Sequence, residues 1–257
     1  MDVVSGVEGL TRGHGRLFIV IGVFDGLHRG HAYLLRHLGR AARERFARPA
    51  VITFDHHPDE IIRGAAPPLL LHPDERLELL ARAGVDVTVV QHFDDAVRRT
   101  PYDVFVERIR ARVDLAGFLM TPDAAFGFER RGTPETVADL GLRDSFDVVV
   151  VPPFTLGGRP VRSSEVRAAI AAGDLATARE LLGRDVTITA SAASNGLATE
   201  LRFDMPTALP PAGRYLVVAN RQRRDLEIDG SGAVRIVPGL GARANGREVR
   251  VRLLAGA

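Results

Sequence analysis

Two histidines three residues apart, His28 and His31, have the types and the spacing to bind phosphate. They end the segment GVFDGLHRGH (22–31), and residues three apart share one face of a helix. The first turn of a helix attracts anions, because its backbone N–H groups are unpaired and its dipole is positive there. Gly30, between the two histidines, would let a phosphate approach the backbone closely. The spacing alone is equally compatible with ordinary surface or capping histidines.

Composition restricts the chemistry that the chain can perform. Its 257 residues include no Cys, so thiolate nucleophiles and zinc–thiolate centres are excluded. All 34 basic residues are Arg, which excludes a Schiff-base lysine and a P-loop lysine. His28 and His31 have no third ligand nearby in the sequence, so we predict no resident metal site. The formal net charge of +2 argues against a dedicated nucleic-acid binder.

A parallel sheet is predicted to position the segment 22–31. From residue 16 to about 185, short apolar runs alternate with amphipathic stretches, which is typical of a doubly wound α/β fold. The predicted strands are 17–24, 50–54, 86–91, 116–120 and 147–151, and the predicted helices are 27–46, 73–83 and one that begins at Thr100-Pro101. The segment follows the first strand, so it lies at the carboxyl end of the sheet, where open α/β proteins bind ligands.

A second domain is predicted after the sheet. Beyond Gly183 the apolar segments become short, alternate in polarity, and are separated by Gly, Pro, Asn and Asp, which is typical of antiparallel hairpins. The strand candidates are 186–190, 200–203, 214–219, 225–228, 234–237 and 248–253. We therefore predict two domains, 1–185 and 186–257, the second a small antiparallel β domain.

The N-terminal segment has neither the basic start nor the apolar length of a signal peptide. Its longest apolar stretch, 17–23, is too short to span a bilayer. We expect a cytoplasmic protein without a membrane partner. The sequence makes no prediction of its oligomeric state.

The segment 22–31 resembles the HxGH signature of the nucleotidylyltransferase superfamily. Within it, the segment is most similar to the FMN adenylyltransferase module of bifunctional prokaryotic FAD synthetases. The resemblance covers about residues 15–185 and implies a Rossmann-like fold in which His28 and His31 stabilise the phosphates of ATP. It also implies that the nucleotide lies near four residues of the loop: Gly22, Phe24, Asp25 and Gly30.

Two further segments resemble that family with substitutions. VITFDHHP (51–58) is similar to a segment near the flavin, which implies an acceptor pocket at Phe54, His57 and Pro58, although a plain strand exit would also fit. His56 replaces a proline there. In MTPDAAFG (120–127), Asp123 is kept near the nucleotide, whereas Thr121 and Ala124 stand where Gly and Phe are expected. The lost aromatic removes stacking surface for a flavin ring.

The segment VRSSEVR (161–167) resembles the family's second phosphate-binding segment. The resemblance implies that Ser163, Ser164 and Arg167 bind the β- and γ-phosphates, and hydroxyls at a helix start followed by an Arg fit that role. Arg162 replaces a Ser and could add charge or obstruct the site. A Ser N-cap with a solvated Arg is the structural alternative.

The last 72 residues resemble a riboflavin kinase barrel with altered ligands. DMPTAL (204–209) keeps Pro-Thr-Ala but has Leu209 in place of Asn, and a leucine offers no oxygen to a cation or phosphate. We therefore predict a barrel remnant without riboflavin kinase activity.

The predicted function is transfer of AMP from ATP, with Mg²⁺, to the phosphate of FMN, which gives FAD and pyrophosphate. One alternative is a nucleotidylyltransferase for another phosphorylated acceptor, favoured by His56, Thr121 and Ala124. Another is a catalytically silent nucleotide- or flavin-binding protein, suggested by Arg162 and the altered tail. A nucleic-acid binder is the weakest alternative, because residues 186–257 contain only Phe203 and Tyr215 as aromatic residues. The partners are accordingly small-molecule nucleotides.

Overall fold

The structure, a computed structural model, describes residues 1–194 and 197–255. It divides into two compact units. The first unit consists of Met1–Phe24, Gly30–Pro67 and Leu77–Pro160, and the second consists of Asp25–Arg29, Pro68–Arg76 and the described residues from Val161 onward. The domain boundary near residue 185 stays a prediction. Residues 195, 196, 256 and 257 of the predicted second domain lie outside the described residues.

A six-stranded parallel sheet forms the centre of the first unit, within the described part of the chain. Its strands are β1 (Asp2–Ser5), β2 (Arg16–Ile21), β3 (Arg48–Phe54), β4 (Val87–Gln91), β5 (Asp114–Met120) and β6 (Asp147–Val150). They lie in the order β1-β4-β3-β2-β5-β6 and every neighbouring pair is parallel. The predicted α/β fold with a parallel sheet is confirmed. β1 was not predicted from the sequence.

Helices connect the strands. Over the described ranges they are α1 (Arg29–Glu44), α2 (Pro58–Arg63), α3 (Pro73–Arg82), α4 (Asp95–Arg98), α5 (Tyr102–Arg110), α6 (Pro134–Asp144), α7 (Ser163–Ala171) and α8 (Leu175–Leu182). Of these, α1, α3 and α5 correspond to the three helices predicted from the sequence. A two-stranded hairpin, β7 (Thr155–Leu156) and β8 (Arg159–Pro160), precedes α7. In the residues that the structure describes, no helix has the length and apolar character needed to cross a membrane.

The core of the first unit includes apolar side chains from the strands, from α5 and from α6. Leu17, Ile19 and Ile52 of the sheet are almost fully buried, and Ile109 of α5 packs in the same cluster. Val104, on the same helix, is 42% exposed. The strands are apolar because both faces of the sheet are covered.

A bulge in β5 explains the glycine in the middle of that strand. The pairing with β2 shifts by one residue between Leu17 and Phe18, so that Phe18 pairs with Gly117. A Cβ on Gly117 would lie 2.2 Å from the backbone oxygen of Asp147, in the neighbouring strand. Only glycine allows this close approach of the two backbones.

Six antiparallel strands close into a barrel in the described part of the second unit. They are β9 (Val186–Ser194), β10 (Thr199–Arg202), β11 (Gly213–Ala219), β12 (Gln222–Ile228), β13 (Val234–Val237) and β14 (Glu248–Leu253), in the order β10-β13-β12-β11-β14-β9. The predicted antiparallel β domain is confirmed. Along β14 buried and exposed residues alternate, so one face of the strand points into the barrel.

The barrel shares its core with α7 and α8. Val166 and Ile170 of α7 and Ala178 of α8 belong to the same buried cluster as Val217 and Leu226 of the barrel. These helices therefore have a fixed place within the second unit, and so does the start of α7, which carries Ser163.

Candidate active site

The loop that carries the two histidines leaves the sheet at its topological switch point. β3 and β4 lie on one side of β2, and β5 and β6 lie on the other, so the loops after β2 and β5 flank the crevice where doubly wound proteins bind ligands. The loop after β2 begins with Gly22, whose N–H donates to the backbone oxygen of Ile52 at 3.0 Å. Asp123 lies in the loop after β5. This arrangement is the one that the sequence predicted for the loop.

Three residues of the loop after β2 have left-handed backbone conformations. Phe24 has φ 53°, Gly26 has φ 80° and Leu27 has φ 38°. For Phe24 and Leu27 this conformation costs about 1 kcal/mol each, and such strain persists only where surrounding contacts fix it. A Cβ on Gly26 would lie 2.8 Å from the side chain of Leu70, so both the turn and the packing require glycine.

The contact that fixes the loop is made by Asp25, whose side chain is buried. Its carboxylate accepts from the backbone N–H of Leu70 at 3.0 and 3.1 Å and forms an ion pair with Arg167, with 2.5 Å between Oδ2 and Nη2. Its backbone oxygen accepts from the hydroxyl of Ser163 at 2.9 Å. Burial raises the pKa of Asp25 above its usual value, and the positive charge of Arg167 offsets part of this effect. Asp25 thus holds the loop against the start of α7.

The structure brings together several of the predicted phosphate-binding residues in the second unit. Arg167 also donates from Nε to the backbone oxygen of Pro68 at 2.8 Å, so its side chain is held on two sides. Ser164 is exposed in the first turn of α7. Arg162 precedes α7 as its N-cap, and its N–H donates to Glu165 at 3.3 Å. The hydroxyls and the Arg therefore lie at a helix start, as predicted, and two of them contact Asp25.

His28 is buried at the end of the same loop. Burial lowers the pKa of its imidazole to about 4, and the positive charges of Arg184 and Arg167 contribute to the shift. His28 is therefore neutral at neutral pH, so its ring can offer one N–H donor and no net charge.

Arg184 is a residue of this assembly that the sequence analysis missed. Its guanidinium donates to the backbone oxygens of Gly26 at 2.7 Å and Leu27 at 3.3 Å, and burial lowers its pKa. The signal for it was weak: Arg184 only follows Gly183, which ends α8 in a left-handed conformation. Arg184 binds backbone oxygens, which every residue has, so no side-chain pattern in the sequence indicates where its partners lie.

His31 and Phe24 contact each other in the first unit. Their rings are 5.0 Å apart with a 44° tilt, and Phe24 is fully buried. α1 begins at Arg29, so Gly30 and His31 are its second and third residues, in the first turn as predicted. His28 precedes the helix, so the prediction that both histidines share a face of its first turn is wrong for His28: the left-handed backbone at Gly26 and Leu27 delays the start of the helix.

The residues predicted for the acceptor pocket have structural contacts of their own. Phe54 packs edge-on against Phe93, with 5.3 Å between ring centroids. His57 is the N-cap of α2, where its Nδ1 accepts from the N–H of Asp59 at 3.2 Å, and Pro58 is the first residue of that helix. These contacts agree with the strand exit that the sequence left open, and they leave the acceptor role a prediction.

Asp123 lies in an exposed turn after β5. The hydroxyl of Thr121 donates to its carboxylate at 2.8 Å, and Arg130 donates to its backbone oxygen at 3.2 Å. Ala124 packs against the core of the first unit. Thr121, where the resemblance expects glycine, thus stabilises this turn instead of leaving space for a ligand.

A second cluster was also missed by the sequence analysis. Asp55, His56 and His92 follow β3 and β4, and their ligand atoms lie within 4.8 Å of one another. The signal was present in the sequence, because Asp55 and His92 each lie just beyond the end of a predicted strand.

The first unit is a doubly wound parallel sheet whose switch-point loop begins the histidine motif, and the chain is a nucleotidyltransferase. The FAD synthetase family matches residues 11–165. The chain belongs to this family.

Curated relatives agree with the assignment. The bifunctional riboflavin kinase/FMN adenylyltransferase of Haemophilus influenzae is 32% identical over 190 residues, which are 73% of this chain and 62% of that protein. The Escherichia coli K12 protein of the same name is 30% identical over 223 residues, 84% of this chain and 70% of that protein. The chain thus spans about two thirds of the length of these relatives.

A solved structure shows the same fold over the whole chain. The structure described as a macrolide-efflux protein from Streptococcus pneumoniae superposes with a TM-score of 0.82 and 22% identity, and the match covers 100% of this chain and 91% of that one. At this identity, the similarity establishes the fold alone.

Proposed function

We propose that the chain transfers the adenylyl group of ATP to the phosphate of FMN, which yields FAD and pyrophosphate. The family match and the names of the relatives support this activity. The observation that carries the proposal is the assembly in which Asp25 holds the histidine loop against Ser163 and Arg167. The start of α7 supplies helix N–H groups, the exposed hydroxyl of Ser164 and the guanidinium of Arg167, which are donors suited to a polyphosphate.

The reaction needs no covalent enzyme intermediate. An oxygen of the FMN phosphate attacks the α-phosphorus of ATP and forms the new P–O bond. The bond from the α-phosphorus to the oxygen shared with the β-phosphorus breaks, and its electron pair leaves with pyrophosphate. The acceptor is already an anion, so the protein has to align it and stabilise charge on the phosphoryl oxygens.

Magnesium enters the proposal as part of the substrate MgATP. The carboxylate of Asp25 is engaged with Leu70 and Arg167, so it is not open as a metal ligand. We therefore assign the described loop no magnesium ligand. Asp25 acts by holding the loop, and the positive charge that the polyphosphate needs comes from arginine.

The phosphate-binding roles of His28, His31, Ser163, Ser164 and Arg167 are part of this proposal. His28, being neutral, would donate a hydrogen bond to a phosphate oxygen instead of contributing an ionic contact. The nucleotide would contact the loop through Gly22, Phe24 and Gly30, with Asp123 near its base or ribose.

The acceptor is proposed to bind at Phe54, His57 and Pro58. The T-shaped contact of Phe54 with Phe93 offers an aromatic surface to a flavin ring. Adenylylation of a different phosphorylated acceptor is the second candidate. It is favoured by Thr121, whose hydroxyl bonds to Asp123 in a turn where the resemblance expects glycine.

We further propose that the barrel does not phosphorylate riboflavin. Leu209, in the position where the resemblance expects Asn, packs against the apolar core of the second unit. The hydroxyl of Thr207 donates to the backbone oxygen of Met205 at 3.1 Å. Leu209 therefore offers no oxygen to a metal–phosphate complex, whereas the Thr207 oxygen keeps its lone pairs.

The experiment incubates the purified chain with MgATP and either FMN or riboflavin, and identifies the products by mass spectrometry. FAD and pyrophosphate from FMN, with no product from riboflavin, are the expected results. ATP binding without pyrophosphate release would instead support the silent binding protein. Turnover with another phosphate from a panel, but not with FMN, would support the second acceptor.

Matched variants test the two histidines. His28→Gln and His31→Gln should each lower the rate of FAD formation about 100-fold or more, the range for loss of a transition-state hydrogen-bond donor. His37→Gln, on the same helix α1, is the control and should retain the parent rate. Equal rates for all three variants would refute the phosphate role.

A further inference from the structure

Asp55, His56 and His92 form a cluster at the carboxyl ends of β3 and β4, and none of the three has a role in the proposed adenylyl transfer. Asp55 and His56 follow β3 directly, and His92 follows β4 directly. The two strands are parallel neighbours, and Phe54 pairs with Gln91 at their ends. The backbone thus places three side chains with metal-binding atoms together, and these atoms lie within 4.8 Å of one another.

The carboxylate of Asp55 is oriented before any ligand binds. Its Oδ1 accepts from the N–H of His56 at 2.7 Å and from the N–H of Phe93 at 3.2 Å. Its Oδ2 lies 2.6 Å from Nδ1 of His92 and 4.0 Å from Nε2 of His56. One oxygen is therefore fixed by the backbone, and the other faces both imidazoles.

The second ring nitrogen of His56 faces another carboxylate. Its Nδ1 lies 3.6 Å from Oε2 of Glu60, one turn further on in α2. Histidines that bind a metal through one nitrogen commonly direct the other toward a carboxylate, which fixes the tautomer and raises the basicity of the ligand. Glu60 is placed to do this for His56.

We propose that Asp55, His56 and His92 bind one divalent late transition-metal ion, for which Zn²⁺ serves as the probe. Two imidazoles and one carboxylate are a zinc-type donor set, whereas Mg²⁺ and Ca²⁺ prefer oxygen ligands. Three protein ligands leave a fourth position for water or an anionic ligand. The proposal does not depend on the proposed function.

Metal binding requires a small rearrangement that the exposed side chains allow. With bonds of about 2.0–2.2 Å to a tetrahedral zinc, two ligand atoms lie about 3.3 Å apart. The hydrogen bond between Asp55 and His92 must therefore open. The side chain of His56 is 56% exposed and that of His92 is 65% exposed, so both rings can rotate without disturbing the core.

The test is isothermal titration of Zn²⁺ into the full chain after treatment with EDTA and removal of the chelator. The parent protein should bind one ion with these residues. His56→Ala and His92→Ala should each weaken that binding at least about 100-fold, and Glu60→Gln should weaken it about tenfold, as loss of an outer-shell partner does. Visible absorption of Co²⁺ bound at this site provides a second readout, and His92→Ala should abolish that absorption.

The matched control is His72→Ala. His72, Asp74 and Glu248 form another group with ligand atoms within 4.8 Å, in the second unit, so this variant should leave the assigned site unchanged. Circular dichroism and urea midpoints equal to those of the parent show that each variant folds. The proposal is overturned if the parent binds no Zn²⁺, if the binding survives His92→Ala, or if His72→Ala removes it. Formation of FAD is assayed separately, so a failed adenylyl transfer would leave a positive zinc result intact.

Discussion

The carboxylate of Asp25 and the guanidinium of Arg167 form an ion pair between residues 142 positions apart in the chain. The pair joins the loop that carries His28 to the first turns of α7, and the hydroxyl of Ser163 adds a hydrogen bond to the same loop residue. The position of this loop therefore depends on the buried carboxylate of Asp25 and on its ion pair with Arg167.

Removal of Arg167 should destabilise the protein strongly. Arg167→Ala leaves the buried carboxylate of Asp25 without its ion-pair partner, which should lower the free energy of unfolding by about 3–5 kcal/mol. Urea unfolding at pH 7 measures the change. Arg63→Ala is the control, because Arg63 lies on the surface 3.7 Å from Asp59 and such pairs contribute at most about 1 kcal/mol.

A double variant separates the charge effect from lost packing. Asp25→Asn in the Arg167→Ala background removes the unpaired charge, while the amide oxygen can still accept from Leu70. The double variant should be more stable than Arg167→Ala alone. If the two have the same stability, or if Arg167→Ala costs no more than Arg63→Ala, the ion pair does not hold the loop.

The free energy of unfolding should decrease as the pH is lowered, because of His28. The folded protein has a pKa of about 4 for this imidazole, against 6.5 for an ordinary one. Above pH 6.5 the ring is neutral in both states, so it contributes no pH dependence. Between pH 6.5 and pH 4 only the unfolded chain binds the proton, so the free energy of unfolding decreases as the pH falls, by about 1.4 kcal/mol per unit and about 3 kcal/mol in all.

The measurement compares urea unfolding of the parent with His28→Gln from pH 8 to pH 4. Asp25 is present in both proteins, so the difference isolates His28. At pH 8 the difference reflects packing alone, and it should shrink or reverse steadily below pH 6.5. A difference that is constant across the range would show that His28 titrates with an ordinary pKa in the folded protein.

Arg184 should control both the loop and the pKa of His28. Arg184→Ala removes donors from the backbone oxygens of Gly26 and Leu27, which should cost about 1–3 kcal/mol, and removes a charge that lowers the pKa of His28. The imidazole pKa, followed by NMR, should therefore rise toward 6.5. Arg179→Ala, an exposed Arg on α8, should change neither quantity, and a His28 pKa unaffected by Arg184→Ala would contradict the assignment.

Gly26→Ala should combine backbone strain with a steric clash. Its φ of 80° costs an L-residue about 1 kcal/mol, and its Cβ would lie 2.8 Å from Leu70. Gly64→Ala is the matched control, since Gly64 has φ 78° and no atom within 4 Å of the same position. In urea unfolding, Gly26→Ala should therefore be the more destabilising variant, and its KM for ATP should rise. Equal costs would show that Leu70 yields without penalty.

The sequence predicted elements of this protein better than contacts between them. The apolar runs that became β2 to β6, and the alternating segments that became the six barrel strands, are local patterns, so they are visible in the sequence whichever strands they pair with. β1 was missed because it has four residues, of which only Val4 is buried, so no pattern distinguishes it from a loop. The helices α2, α4 and α6 were not predicted, and the first two are too short for a helical period to be visible.

The sequence predicted which segments carry the candidate site, but it did not predict which residues of those segments contact each other. The decad 22–31 and the segment 161–167 were both identified, and the structure shows them in contact. That Arg167 and Ser163 would bind Asp25 could not be predicted, because the partners of a buried carboxylate are set by tertiary packing. Arg184 was missed for the same reason, since it donates to backbone oxygens that every residue carries.

The closed barrel limits how another protein can recognise the second unit. Each of its six strands has a neighbour on both sides in the described residues, so most N–H and C=O groups of the strands are already paired. Recruitment by adding a strand to an open edge is therefore disfavoured. A partner of this unit would have to bind the outward-facing side chains of the strands, or the turns that join the strands.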